Sequence, residues 1–217
     1  MNAIAQNVET RLLALGQKFK EQPVTVPPAE QSTSAKAREA EILREAGLPK
    51  RHDRAVGVLD TEWQRKLNTL TESLGSGFLR ALVGIQGVGK TQMGVSLCHA
   101  SARLGRSCLF TTAMDFFVDL RASYRDEAKR DESATLKMFT RPKLLVIDEM
   151  DERSENAWEN RMLFHLINKR YQSLTDTLLI SRRSRDEFLQ SLGESIQSRL
   201  QETGACTLCE WKSWRGK

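Results

Sequence analysis

Gly84-Ile-Gln-Gly87-Val-Gly89-Lys90-Thr91 matches the pattern G-x-x-x-x-G-K-[ST] at every position. Its flanks give the match weight. Phe78-Leu-Arg-Ala-Leu-Val83 in front is an apolar run of strand length, and the residues behind it read as a helix. A glycine-rich turn between strand and helix lets the backbone wrap a phosphate closely, with its N–H groups pointing inward. The helix that follows adds the positive end of its dipole. Gly84, Gly87, Val88, Gly89, Lys90, Thr91 and Gln92 are therefore the expected nucleotide-binding residues. Lys90 is placed to reach the β- and γ-phosphates of ATP, and the Thr91 hydroxyl to ligate Mg²⁺.

Lys143-Leu-Leu-Val-Ile147-Asp148-Glu149 is the complementary piece. Its apolar residues suit a buried parallel strand, whose C-terminal end delivers two adjacent carboxylates to the phosphate crevice. Asp148 is expected to hold Mg²⁺ through water, and Glu149 to polarise the attacking water as general base. Lys90, Asp148 and Glu149 are thus catalytic candidates, with Thr91 and Asp148 as the metal set.

The rest of the chain is read by its periodicity. Ile4, Val8, Leu12, Leu15 and Phe19 form one apolar stripe of an amphipathic helix, either folded onto its own core or covered by a partner. Pro23-Val-Thr-Val-Pro27-Pro28 and the small polar residues after it predict a linker over 22–34. A second helix over about 35–46 stops at Gly47, with Pro49 beyond. Residues 1–50 are expected to be a helical partner-binding extension, and 51–217 the ATPase domain. A helix from Thr61 carries Trp63, Leu67, Leu70 and Leu74 on one face. Strands are predicted at 79–84, 107–111, 143–148, 177–181 and about 205–210. Helices are predicted at about 90–104, 113–128, 155–172 and 185–192, with Thr112-x-x-Asp115 and Ser184-x-x-Glu187 marking two starts. This alternation predicts an α/β fold with a five-stranded, mostly parallel sheet covered on both faces.

Composition narrows the class. Apolar residues at 40% and charged residues at 28% are ordinary for a globular protein, and no apolar run is long enough to span a membrane. The N-terminus lacks the basic and apolar regions of a secretion signal, so a cytoplasmic protein is expected. The net charge of +5 suits a polyanionic partner, but it is spread along the chain, as on any solvated surface. Cys98 and Cys108 fall in apolar stretches and read as core. Cys206-Thr-Leu-Cys209 has the spacing of half a zinc site, but the alternation around it reads as a strand.

These motifs, in this order, resemble the DnaC/IstB family of AAA+ P-loop ATPases, which includes helicase loaders and transposition helpers. The resemblance runs from about Ala46 to Arg215. It takes in Ala46-Gly-Leu-Pro-Lys-Arg51, the phosphate loop, Thr111-Thr-Ala-Met-Asp115-Phe-Phe-Val-Asp-Leu-Arg121, the Asp148-Glu149 strand and Asn168-Lys-Arg-Tyr171. It closes with Leu192-Gly193-Glu194-Ser-Ile-Gln-Ser-Arg199-Leu200 and Glu210-Trp-Lys-Ser-Trp-Arg215, which look more like the helicase-loader branch.

The resemblance implies an ATP-dependent loader that binds a replicative hexameric helicase and single-stranded DNA, and that works as a homo-oligomeric ring or open spiral. The stripe Ile4, Val8, Leu12, Leu15 and Phe19 would grip the helicase. Arg199 matches an arginine finger acting on a neighbour's γ-phosphate, and Arg215 a second nucleotide-sensing arginine. Lys169 and Arg170 match a helix that faces a neighbour. No C-terminal lid is expected, since the chain stops just after the fifth strand.

The family's Ser/Thr-Asn pair at the end of the fourth strand is replaced here by Ser181-Arg182. The change implies either slow hydrolysis or an arginine that senses the γ-phosphate. In related initiators the region after the second strand lines a single-strand DNA channel. Arg121, Tyr124 and Arg125 are the candidates for it, while Phe116, Phe117 and Leu120 equally fit the core face of an ordinary helix. Two other roles stay open, a transposition helper of the IstB type and a nucleotide-gated adaptor with little turnover.

Overall fold

The computed structural model describes residues 28–53, 61–124 and 131–211. The stripe Ile4, Val8, Leu12, Leu15 and Phe19 lies outside them, as do Arg125 and Arg215. The strands are β1 Leu79–Val83, β2 Cys108–Thr112, β3 Leu144–Asp148, β4 Asp176–Ile180 and β5 Cys206–Leu208. They form one sheet in the order β2-β3-β4-β1-β5. Every pairing in it is parallel.

The apolar runs alternate between the two faces. Leu79, Ala81, Val83, Leu145, Ile147 and Leu179 enter one core cluster, while Leu82, Leu144, Val146, Leu178 and Ile180 enter the other. Strands buried on both sides read as continuous hydrophobic segments for this reason. The first face is covered by α4 (Ala113–Ala122), α5 (Glu132–Thr140), α6 (Ala157–Gln172), α7 (Arg185–Ser191) and α8 (Glu194–Thr203). The second carries α2 (Thr61–Glu72) and α3 (Lys90–Arg103).

Both predicted helix starts carry side-chain caps. Asp115 N donates to Thr112 Oγ1 at 3.1 Å, and Ser184 and Glu187 close a capping box. Two helices go beyond the predicted set. Helix α5 turns only Thr135, Leu136 and Phe139 inward, too short a stripe to stand out, and α8 follows α7 after a break at Gly193. The predicted 113–128 helix ends earlier, at Ala122.

The N-terminal organisation departs from expectation. Helix α1 spans Pro28–Glu45, so the second half of the expected linker is helical. A proline at the first helical position costs little, because its missing N–H would be unpaired anyway. The compact unit begins at Ala35, not at residue 51. Ala46 is fully buried in the second core cluster, and its carbonyl accepts from Phe110 N at 2.7 Å. Residues 35–50 therefore belong to the core domain.

Arg170 corrects a second expectation, since it is completely buried instead of facing a neighbour. Its guanidinium donates to the carbonyls of Phe139 at 2.8 Å, Pro142 at 2.9 Å and Asp176 at 2.6 Å, and to Thr177 Oγ1 at 2.9 Å. One side chain thus joins the end of α5, the approach to β3 and the start of β4. Burial lowers its pKa to about 9, against the raising influence of Asp176. The Asp176 carboxylate, also buried, accepts from Gly75 N at 2.6 Å and Gly77 N at 2.9 Å, which sets the entry of β1. Lys169, next along α6, is exposed. Arg170→Ala should destabilise the fold by about 3–5 kcal/mol in urea unfolding, because buried carbonyls lose their donor. A midpoint within error of the wild type would contradict this role.

Candidate nucleotide site

The strand order puts β4 between β3 and β1. The residues that leave the C-terminal ends of these strands are the phosphate loop, Asp148-Glu149 and Ser181-Arg182. They gather at one edge of the sheet, where open α/β folds bind ligands.

Gly84, Gly87 and Gly89 have φ of 122°, 91° and 83°, a region open to glycine and strained for other residues. A Cβ on Gly84 would lie 2.8 Å from Cys209 O, so the loop leaves no room for a side chain there. Helix α3 starts directly on Gly89 without a side-chain cap, and its first turn carries no acid. Helices α4 to α8 each have an acidic residue in that turn. The dipole of α3 is thus left for an external anion.

Lys90 is buried, and its Nζ donates to the carbonyls of Gly84 at 2.5 Å and Ile85 at 2.7 Å. Burial lowers its pKa, although Cys209, Asp148 and Asp151 pull the other way. Thr91 Oγ1 donates to Asp148 Oδ2 at 2.6 Å, joining α3 to the end of β3. Burial raises the Asp148 carboxyl, opposed by the bonds from Thr91 and Glu149 N. A hydroxyl and a carboxylate converging in this way make the hard oxygen set that Mg²⁺ takes. Glu149 is exposed beside them, on a left-handed backbone at φ 55°. The Gln92 side chain is committed elsewhere. Its Nε2 donates to His52 O at 3.0 Å, and its Oε1 meets His52 Nδ1 at 3.2 Å.

Two indoles brace the loop from outside the sheet. Trp63 Nε1 donates to Gly89 O at 3.2 Å, and Trp211 Nε1 donates to Val88 O at 2.5 Å. Nothing in the local sequence announces either bond, because the partners are distant along the chain. At β4, Ser181 is buried, and Ser181 Oγ donates to Asp151 Oδ1 at 3.2 Å. Arg182 Nε donates to Asp151 Oδ2 at 2.7 Å, and its Nη2 to Glu152. Burial pushes the Asp151 carboxyl up, but the bonds from Arg182 outweigh it and hold the group below its ordinary value. Asp151 and Glu152 were not among the predicted residues.

The other candidates separate from this edge. Arg199 donates to Ser195 O at 2.9 Å and Asn168 Oδ1 at 2.7 Å, neither of them in the phosphate loop. Its guanidinium carbon lies 5.3 Å from the ring centres of both Phe164 and Tyr171. Arg121 donates to the buried Glu159 at 2.6 Å and lies over the Trp158 ring at 5.0 Å. Tyr124 meets Trp158 edge-on at 6.1 Å and stays half exposed. Phe116, Phe117 and Leu120 are core, one of the two readings their spacing allowed. Cys206 belongs to one core cluster and Cys209 to the other, and burial raises their thiols to about 11 and about 12.

Residues 28–199 match the family described as IstB-like ATP binding protein. The chain belongs to this family. Among curated relatives it is 24% identical over 135 residues to the replicative helicase loader DnaC of Escherichia coli strain K12, covering 62% of this chain and 55% of that protein. It is 28% identical over 148 residues to an ATP-binding protein of an insertion sequence from Bacillus thuringiensis, covering 64% of this chain and 58% of the relative. The chain thus spans little more than half the length of these relatives.

The fold is that of AAA+ proteins. A crystal structure of the DnaC helicase loader superposes with a TM-score of 0.60 at 20% identity, covering 77% of this chain and 98% of that one. The replication initiator DnaA bound to AMPPCP and single-stranded DNA gives 0.61 at 19% identity, covering 76% and 51%. Within this IstB-like frame the two indoles are testable. Trp211→Phe keeps the ring and removes the donor to Val88 O, a loss of about 1 kcal/mol, or roughly fivefold in affinity. Titration with a fluorescent ATP analogue should show that weakening. An unchanged isotherm would mean that the loop does not depend on the bond.

Proposed function

We propose that this IstB-like protein is an ATPase that loads a replicative helicase in the cytoplasm, assembling side by side on single-stranded DNA. The observation that carries the reading is the convergence of Lys90, Thr91, Asp148 and Glu149, with Thr91 Oγ1 2.6 Å from Asp148 Oδ2. Lys90 leaves its loop carbonyls to meet the β- and γ-phosphates. Thr91 and Asp148 hold Mg²⁺, which neutralises charge on the phosphate oxygens when bound. Glu149 accepts a proton from the attacking water. The matching relatives include a helicase loader, and among the described residues no helix is long and apolar enough to cross a membrane.

Arg199 acts on the nucleotide of a neighbouring copy. Its bonds to Asn168 and Ser195 fix the guanidinium between Phe164 and Tyr171, away from its own phosphate loop. For DNA, exposed Tyr124 is the better contact, since Arg121 is already bonded to Glu159. Arg125 and the second sensing arginine, Arg215, keep their proposed roles. The stripe Ile4, Val8, Leu12, Leu15 and Phe19 is the proposed helicase grip. A transposition helper is the second reading, favoured by the insertion-sequence relative at 28% identity. Capture of a replicative helicase, against capture of a transposase, separates the two.

Glu149→Gln should keep ATP affinity and lose turnover by roughly a hundredfold or more, because the amide accepts no proton. Steady-state phosphate release at the wild-type rate would remove Glu149 as the base. Arg199→Ala should bind ATP normally yet lose at least about a thousandfold in turnover. Mixed with Lys90→Ala it should regain activity, since an intact finger then meets an intact loop at mixed interfaces. No recovery at any mixing ratio would exclude action in trans.

A further inference from the structure

The surroundings of Arg182 carry the ATP-site reading a step further, and the step rests on that reading. The end of β4 is tied to the phosphate loop, because Gly84 N donates to Arg183 O at 3.0 Å. Arg182 is held from the other side by the 3-10 turn Met150–Glu152 that follows β3. Its backbone N–H donates to Asp151 Oδ1 at 2.9 Å, its Nε to Asp151 Oδ2 at 2.7 Å and its Nη2 to Glu152 Oε1. The Arg182 charge is close enough to interact with Lys90, Asp148 and Glu149. A guanidinium in this position has two competing sets of anionic partners, the carboxylates already on it and a polyphosphate in the loop.

The two carboxylates hold it unequally. Asp151 also takes the Ser181 hydroxyl at 3.2 Å, and its side chain is only 11% exposed, so it is anchored whichever partner the arginine takes. The Glu152 and Arg182 side chains are 48% and 42% exposed. Charge, not packing, keeps the tip of the arginine in place. Exposed ion pairs of this kind are weak enough for a stronger anion to displace. The terminal phosphate of ATP brings charge that ADP lacks at the same place.

We propose that Asp151 and Glu152 form an acidic clamp that holds Arg182 back, and that the γ-phosphate competes for it, making Arg182 the residue that discriminates ATP from ADP. Asp151 is then a positioning residue for the end of β4, and Glu152 the releasing arm. The clamp makes the availability of this cation depend on its own acidic neighbours.

The test is the ratio of ATP to ADP affinity, measured on the full chain with fluorescent analogues of both nucleotides and Mg²⁺. Neither Glu152 nor Arg182 is buried, so neither substitution opens the core. Glu152→Gln should raise the ratio by roughly two- to fivefold, the range an exposed ion pair can release. Arg182→Ala should lower it, and Glu152→Gln should add nothing in the Arg182→Ala background. The clamp is overturned if Glu152→Gln lowers the ratio or leaves it unchanged, if Arg182→Ala leaves it unchanged, or if the two effects add independently. A wild-type chain that bound neither nucleotide would remove the ATP-site reading, and the clamp with it.

Discussion

Both faces of the sheet are covered, so among the described residues the polar groups that the central strands present gather at the strand ends. This constraint organises the rest of the molecule. Segments far apart in sequence leave β1, β3 and β4 at the same edge, because β4 lies between the other two. The phosphate loop, the paired carboxylates and Ser181-Arg182 are neighbours for that reason alone. At the opposite ends of β1 and β4 the same constraint is met differently. Asp176 and Arg170 are buried there, and each bonds several backbone groups that would otherwise lack partners.

The legible parts of the sequence were those whose physics is local. The phosphate loop carries its own glycines, lysine and threonine, and the apolar strands carry their own burial. The caps at Thr112 and Ser184 join residues three apart. What stayed hidden depends on distant pairings. Asp176 meets Gly75 across 101 residues, and Trp211 meets Val88 across 123. Arg170 illustrates the difficulty, since a cation in the last turn of a helix ordinarily faces solvent or the helix carbonyls. Its burial follows from the end of α5, a helix whose inward stripe was too short to be noticed. The paired acids Asp151 and Glu152 meet Arg182 across 31 and 30 residues, another pairing that the local sequence does not announce.

The chain is similar both to a helicase loader and to insertion-sequence proteins. The matched region ends at Arg199, and the covered share of the curated relatives is little over half. The residues proposed for DNA and for the helicase, Tyr124 beside Trp158 and the stripe from Ile4 to Phe19, are those that would tell a loader from a transposition helper. The two rings beside Arg199 and its bond to Asn168 restrict its rotamers, and for the trans role proposed above such restriction would lower the entropy lost on contact with a neighbour.

The contact between Phe110 N and Ala46 O has a meaning beyond the domain boundary. β2 is an outer strand of the sheet, and an uncovered outer strand is a template on which another chain can add itself. Ala46, fully buried at that margin, occupies one of the hydrogen-bonding positions such a chain would use. A truncation ahead of Ala35 leaves this cover in place. One made at residue 50, where the sequence alone would divide the protein, strips it away and turns a closed margin into an adhesive one.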